Sequence, residues 1–167
     1  MEDIIKITPI QQKQTLVPIV SDGEFIQTVS EYMANNDFPQ NSINNIVQNS
    51  VDVFSHCIKP IDNKRQNTGI IIGKVQSGKT SNFITLIAMA FDNGYNISIV
   101  LGGNKNILLE QNKQRIKESF DVDSDKLVVL DTNTNKDILN EREIERFIKR
   151  DVKVIIVGLK HNKHIDK

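Results

Sequence analysis

The sequence predicts an α/β domain built on a parallel β-sheet, carried behind a small helical region. Three observations predict it. From Gly69 onward, short β-branched runs alternate with longer amphipathic segments, the rhythm of successive β–α–β units. Before Gly69, apolar residues recur only at helical spacing. Between the first run and its helix lies a glycine-bounded loop, Gly73-Lys74-Val75-Gln76-Ser77-Gly78-Lys79-Thr80. The two regions are residues 1–67 and 68–167, and 167 residues suffice for one ordinary domain with such an appendage.

Taken in order, residues 1–20 show no clean period, and Pro9 and Pro18 predict an irregular arm. Ser21-Asp22-Gly23-Glu24 has the capping-box pattern. It opens a helix with Phe25, Ile26, Val29, Tyr32 and Met33 on one face, a stripe that reads as core packing. Asn36 to Gln40 breaks the pattern around Pro39. A second helix follows, with Ser42 as the expected cap and Ile43, Ile46, Val47, Val51, Phe54 and Ile58 inward, until Lys59-Pro60 ends it. Residues 61–68 are a polar linker. Four strands are then predicted at 70–73, 97–101, 127–130 and 154–157, each short and apolar as buried parallel strands are. Helices near 79–92, 105–119 and 136–150 lie between them. Right-handed crossovers follow, with any ligand beyond the carboxyl ends of the strands.

Composition limits the partners. Hydrophobic residues make up 38% and charged residues 25%, the balance of a globular chain. Lys plus Arg and Asp plus Glu both number 21, so bulk charge gives no pull toward nucleic acid or membrane, although a local basic groove remains compatible. Cys57 is the single cysteine, so no intrachain disulfide can form. Met1 to Ile10 lack a signal-peptide core, and no apolar run approaches the roughly 20 residues of a membrane helix. A cytoplasmic location is expected.

The loop from Gly73 to Thr80 reads G-x-x-x-x-G-K-T, the pattern that cradles nucleotide phosphates. Its glycines let backbone N–H groups turn toward phosphate, and the following helix adds the positive end of its dipole. Gly73, Gln76, Ser77, Gly78, Lys79, Thr80 and Ser81 are therefore the expected binding residues for ATP. Lys79 is placed for the β- and γ-phosphates and Thr80 for Mg²⁺, so these two carry whatever chemistry the loop performs. The bland alternative is a glycine turn with a solvated lysine. A GTPase is disfavoured, since no N-K-x-D motif occurs and Asn135-Lys136-Asp137 lacks the spacer.

Hydrolysis needs an acid at another strand end to hold Mg²⁺. Asp131, after Leu127-Val128-Val129-Leu130, fits that position formally, but a loop or cap role is expected because no second acid stands beside it. Val154–Val157 leads into Gly158-Leu159-Lys160 with no acid. The chain reaches Lys167 partway into what reads as a new helix, so it is expected to be an N-terminal piece ending before the acidic Mg²⁺-binding motif. Lys105, Lys113, Arg115 and Lys117 alternate with Glu110 and Glu118, the pattern of a solvated helix face. His161 and His164 are three apart, short of the ligands a zinc site requires.

The stretch from Gly73 to Phe83 resembles the V-Q-S-G-K-T loop of bacterial Z-one domain endonucleases and their DEAD/DEAH-type relatives, and more broadly the N-terminal ATPase half of superfamily 2 helicases and restriction-type translocases. Gly94 to Gly103 and Val154 to His161 share the character of later strands in that group. The resemblance covers roughly residues 66–167 and is specific at the loop. It implies a RecA-like P-loop NTPase fold and an ATP hydrolase acting on DNA, completed by a further motor domain or a partner subunit. It also implies that the loop Gly102-Gly103-Asn104-Lys105, and the helix after it carrying Gln111 and Arg115, lie near the nucleic-acid backbone. Lys105, Lys160 and Lys163 are the expected phosphate-backbone contacts. The DEAD/DEAH acids and the arginine finger of that group do not occur in this chain. The alternative function is a nucleotide-dependent switch or interaction module without catalysis.

Overall fold

The structure, a computed structural model, describes residues 18–57, 68–70, 79–102, 105–121, 125–133 and 140–159. Among them it is α/β, with five helices and three strands: α1 (Glu24–Asn35), α2 (Gln40–Phe54), α3 (Lys79–Asp92), β1 (Ile97–Leu101), α4 (Asn106–Phe120), β2 (Leu127–Asp131), α5 (Glu141–Lys149) and β3 (Lys153–Gly158). The strands form one parallel sheet in the order β1-β3-β2. The strand expected at 70–73 lies outside the described residues except for Ile70, which is not in a strand and is 86% exposed. No helix among the described residues is long and apolar enough to cross a membrane.

Strand alternation explains the layers. Register places Val100, Ile155, Val157, Leu127 and Val129 on one face. All five join the core beneath α1 to α4. Val154 and Leu130 point to the other face, where α5 packs against β3. The path from β1 to β2 crosses the sheet one way and the path from β2 to β3 returns. Right-handed crossovers therefore put α4 and α5 on opposite faces. α5 leaves the β1 half of its face open, so Ile97, Ile99 and Leu101 are exposed.

The helical region shares this core rather than forming its own. Ile26, Val29, Met33, Ile43 and Ile46 join Ile84, Ala88, Met89 and Phe91 of α3 in one cluster. Phe25, Phe91 and Phe120 knit α1, α3 and α4 together edge-on, with ring centroids 5.4 to 6.3 Å apart. The core reading of the first stripe holds for Phe25. Tyr32 is only half buried, and its hydroxyl donates to Glu118 across the α1–α4 seam at 3.4 Å.

Three helix starts differ from expectation. Gly23, not Ser21, is the N-cap of α1, and no side chain of the local pattern caps it. The distant Asp92, at the end of α3, accepts the N–H groups of Phe25 at 3.1 Å and Ile26 at 2.9 Å instead. The next residue, Asn93, bonds both backbone groups of Val20. A tertiary cap has replaced the local one, fixing α1 to α3. α2 starts earlier than Ser42 predicted, with Pro39 as its N-cap. Pro39 lacks an N–H and fixes φ, both tolerable at a helix entrance. α5 starts at Glu141, where the Asn140 side chain accepts the Glu143 N–H.

The Asp92 cap needs a glycine opposite it, because a Cβ on Gly23 would collide with the Asp92 carboxyl. Asp92→Ala is expected to cost about 1 kcal/mol of stability, the usual worth of a lost cap. Gly23→Ala should cost a similar amount by displacing the same carboxylate. The double variant should then lose less than the sum of the two, which urea unfolding measures. Full additivity would mean that the two residues act independently. Burial pushes the Asp92 carboxyl above its ordinary value, outweighing the two N–H donors that pull it down. A folded-state value above the unfolded one means that this group's contribution falls as pH rises through the window between them.

Candidate functional site

Described residues of the site stand at the start of α3 and at the carboxyl ends of the three strands. α3 begins at Lys79, so Lys79, Thr80 and Ser81 form its first turn, where backbone N–H groups have no partner within the helix. Lys79 is exposed, and Thr80 and Ser81 are half buried. One turn further in, Thr85 is fully buried and its hydroxyl donates to the Ser81 carbonyl at 2.8 Å. Gly73, Gln76, Ser77 and Gly78 lie outside the described residues, as do Lys160, Lys163, His161 and His164.

The strand ends are drawn together by small residues. The Gly102 N–H donates to the Gly158 carbonyl at 3.0 Å, so the chain leaves β1 and β3 side by side. A Cβ on Gly102 would strike the Asn112 amide of α4, and one on Gly158 would come within 3.2 Å of Leu101. Lys105, exposed, is the N-cap residue of α4 just beyond this point. Asn106 at the helix start accepts a bond from the Asn133 side chain at 3.1 Å, tying the β1 and β2 exits together.

Of the charges expected on a solvated face, Lys105, Glu110, Arg115 and Glu118 are exposed, and Lys113 departs from it. Leu109, Ile116 and Phe120 point into the core, and Lys113 falls on their stripe. Its ammonium meets Asp131 at 2.5 Å, with the Lys113 side chain 16% exposed and that of Asp131 not exposed at all. Asp131 also accepts the Asn133 N–H at 2.9 Å, an Asx-type turn closing the end of β2. A loop-end role for Asp131 was the expected one; its partly buried partner Lys113 was not foreseen. Register places Asp131 on β2, beyond β3 from β1. The Thr132 hydroxyl beside it is buried with no partner among the described residues.

Arg115, two residues from Lys113 and so on a different side of the helix, reaches the other way. Its guanidinium donates to the Thr80 hydroxyl at 3.3 Å. α4 thus touches both the end of β2 and the start of α3. The sequence resemblance set Arg115 near nucleic acid; the structure shows it bonded to Thr80. No three His, Cys, Asp or Glu side chains gather into a metal site among the described residues. Among the described residues, the Thr80 hydroxyl is an oxygen of the kind that Mg²⁺ accepts beside phosphate and water.

In comparison with known proteins, the chain matches no protein-family model, no curated protein and no solved structure.

Proposed function

We propose that this chain is the ATP-binding portion of a DNA-processing ATPase, of the helicase, translocase or restriction type, with a RecA-like P-loop NTPase fold. The observation that carries the reading is the junction at Lys79. The G-x-x-x-x-G-K-T loop runs directly into α3, whose first residues are Lys79 and Thr80, ahead of a parallel sheet. A positive helix end and an exposed lysine at the end of the motif support the reading. In this reading Lys79 neutralises the β- and γ-phosphates and the Thr80 hydroxyl holds Mg²⁺. Bound ATP would supply the phosphoanhydride that such enzymes cleave.

The Lys113–Asp131 pair favours binding without appreciable turnover by residues 1–167. It commits the one acid that ends a strand among the described residues to a partly buried partner. The same pair favours the second reading, a nucleotide-dependent switch that never hydrolyses. Binding of a labelled ATP analogue with Mg²⁺, beside a phosphate-release assay, tests both. Tight binding with negligible release supports the proposal. Robust release would return Asp131 to the metal, and absent binding would end the nucleotide reading.

DNA is the proposed partner of the same end of the sheet. Lys105 is exposed there, just past the point where β1 and β3 end side by side; Lys160 and Lys163 follow β3 in the sequence and lie outside the described residues. Contacts of this kind read phosphate rather than base. Single-strand binding should be sequence-blind and fall by about 0.7 log units per contact for each tenfold rise in salt. Lys105→Ala should reduce that slope by one contact, and a strong sequence preference would contradict the placement.

A further inference from the structure

We propose that the groove between α1 and α2 docks a basic amphipathic helix of a partner protein. Every residue lining this groove lies before Gly69, so the site is independent of any nucleotide at the loop.

Shape is the first ground. The groove has a volume of about 380 Å³ and opens to solvent on its outer side. Ile26 of α1 and Ile43 of α2 form its floor, where both helices lean on α3. Val47 and Val51, half buried, continue the α2 wall. Ile43, Val47 and Val51 recur every fourth residue, so they make one apolar ridge along α2. The lining from Gln40 to Val51 is about three helical turns, or about 16 Å. That is the length over which a docked helix offers anchors at i, i+3 or i+4, and i+7.

Charge is the second ground, and it selects the occupant. Between Lys13 and Lys59 the chain has no lysine or arginine but carries Asp22, Glu24, Glu31, Asp37 and Asp52. The whole chain is neutral, so the matching positive excess lies elsewhere. Glu24 is taken by Lys126 at 2.6 Å. Asp22 lines the groove, and Asp52 accepts a bond from the rim residue Gln48 at 3.2 Å. Both acids are exposed, and neither meets a lysine or arginine among the described residues. The rest of the rim includes the neutral amides Gln27, Gln40 and Asn44. Such a rim repels nucleic acid and anionic membranes. A second copy offering the same face would set acid against acid. A helix with an apolar stripe for Val47 and Val51, and with Lys or Arg for Asp22 and Asp52, complements both features.

The test is an NMR titration of the isotope-labelled chain with a synthetic peptide of leucine and lysine at helical spacing. A peptide with glutamate for lysine and one with the pattern scrambled serve as controls. The lysine peptide should shift the amide signals of Gln27, Val47, Gln48 and Val51, less so as salt rises, and the controls should not. Asp22→Lys combined with Asp52→Lys should weaken the lysine peptide by about tenfold or more. Both positions are exposed, and an unchanged thermal midpoint shows that the variant folds. Equal binding by the glutamate peptide, by the scrambled peptide or by the double variant overturns the proposal, as do shifts confined to other surfaces. Groove shifts caused by single-stranded DNA or anionic vesicles overturn it too. Sedimentation of the free chain covers the remaining occupant: self-association that the double variant abolishes would give the groove to a second copy instead.

Discussion

Lys113→Ala is expected to destabilise the fold by about 3–5 kcal/mol, because it removes the Lys113 ammonium from a carboxylate buried in the interior. Asp131 has no exposed surface, and Lys113 is its ion-pair partner. Truncating the lysine removes the compensating charge and leaves the cost of burying the acid. The reverse change should be milder. Asp131→Asn keeps an oxygen for the Asn133 N–H and leaves Lys113, partly exposed, free to extend toward water. Combining the two should then recover much of the loss, since the buried charge is gone. Urea unfolding of the four proteins checks the pattern. If Lys113→Ala costs no more than a surface substitution, the pair does not hold β2 to α4. ATP binding by Asp131→Asn provides a second readout. Unchanged Mg²⁺-dependent affinity agrees with a structural acid, and a large loss would make Asp131 a metal ligand.

This pair also shows where the sequence could be read and where it could not. The strands expected at 97–101, 127–130 and 154–157 were legible as short β-branched runs, although of the three only β2 and β3 bury both faces, while β1 leaves Ile97, Ile99 and Leu101 exposed. α3 was legible from the glycine loop before it. On α4 the alternating charges pointed to solvent, and that expectation failed at Lys113. The missed signal was local: Leu109, Lys113, Ile116 and Phe120 recur at i, i+4, i+7 and i+11, so the lysine stands on an apolar stripe. A charge at such a position calls for a buried partner, and Asp131 at a strand end was available.

The Asp92 cap and the Arg115 bond were not legible at all. Both join residues 35 or more positions apart, and both depend on how helices rotate against one another. A capping box is a local pattern. Here the packing of Phe25 on Phe91 carries the α1 N-terminus to Asp92, and the distant carboxylate takes the bonds the local side chains would have made. Strand order was likewise beyond the sequence, because alternation predicts parallel strands without saying which pair.

Lys79→Ala should weaken ATP binding by roughly tenfold to a hundredfold while leaving the fold intact. The ammonium of a phosphate-loop lysine makes charge-assisted bonds worth on the order of 1.5–3 kcal/mol, and each 1.4 kcal/mol is about tenfold in affinity. Stability should hardly move, because Lys79 is exposed at the first position of α3 and alanine is at least as good a helix former. This separation of effects distinguishes Lys79 from Lys113 on the same protein. If the loop binds phosphate, Lys79 should affect binding alone; Lys113, paired with buried Asp131, should affect unfolding first. Titration of wild type and Lys79→Ala with a labelled ATP analogue, beside their thermal midpoints, decides it. Equal affinities would mean that the loop from Gly73 to Thr80 holds no phosphate and is a glycine turn into a helix.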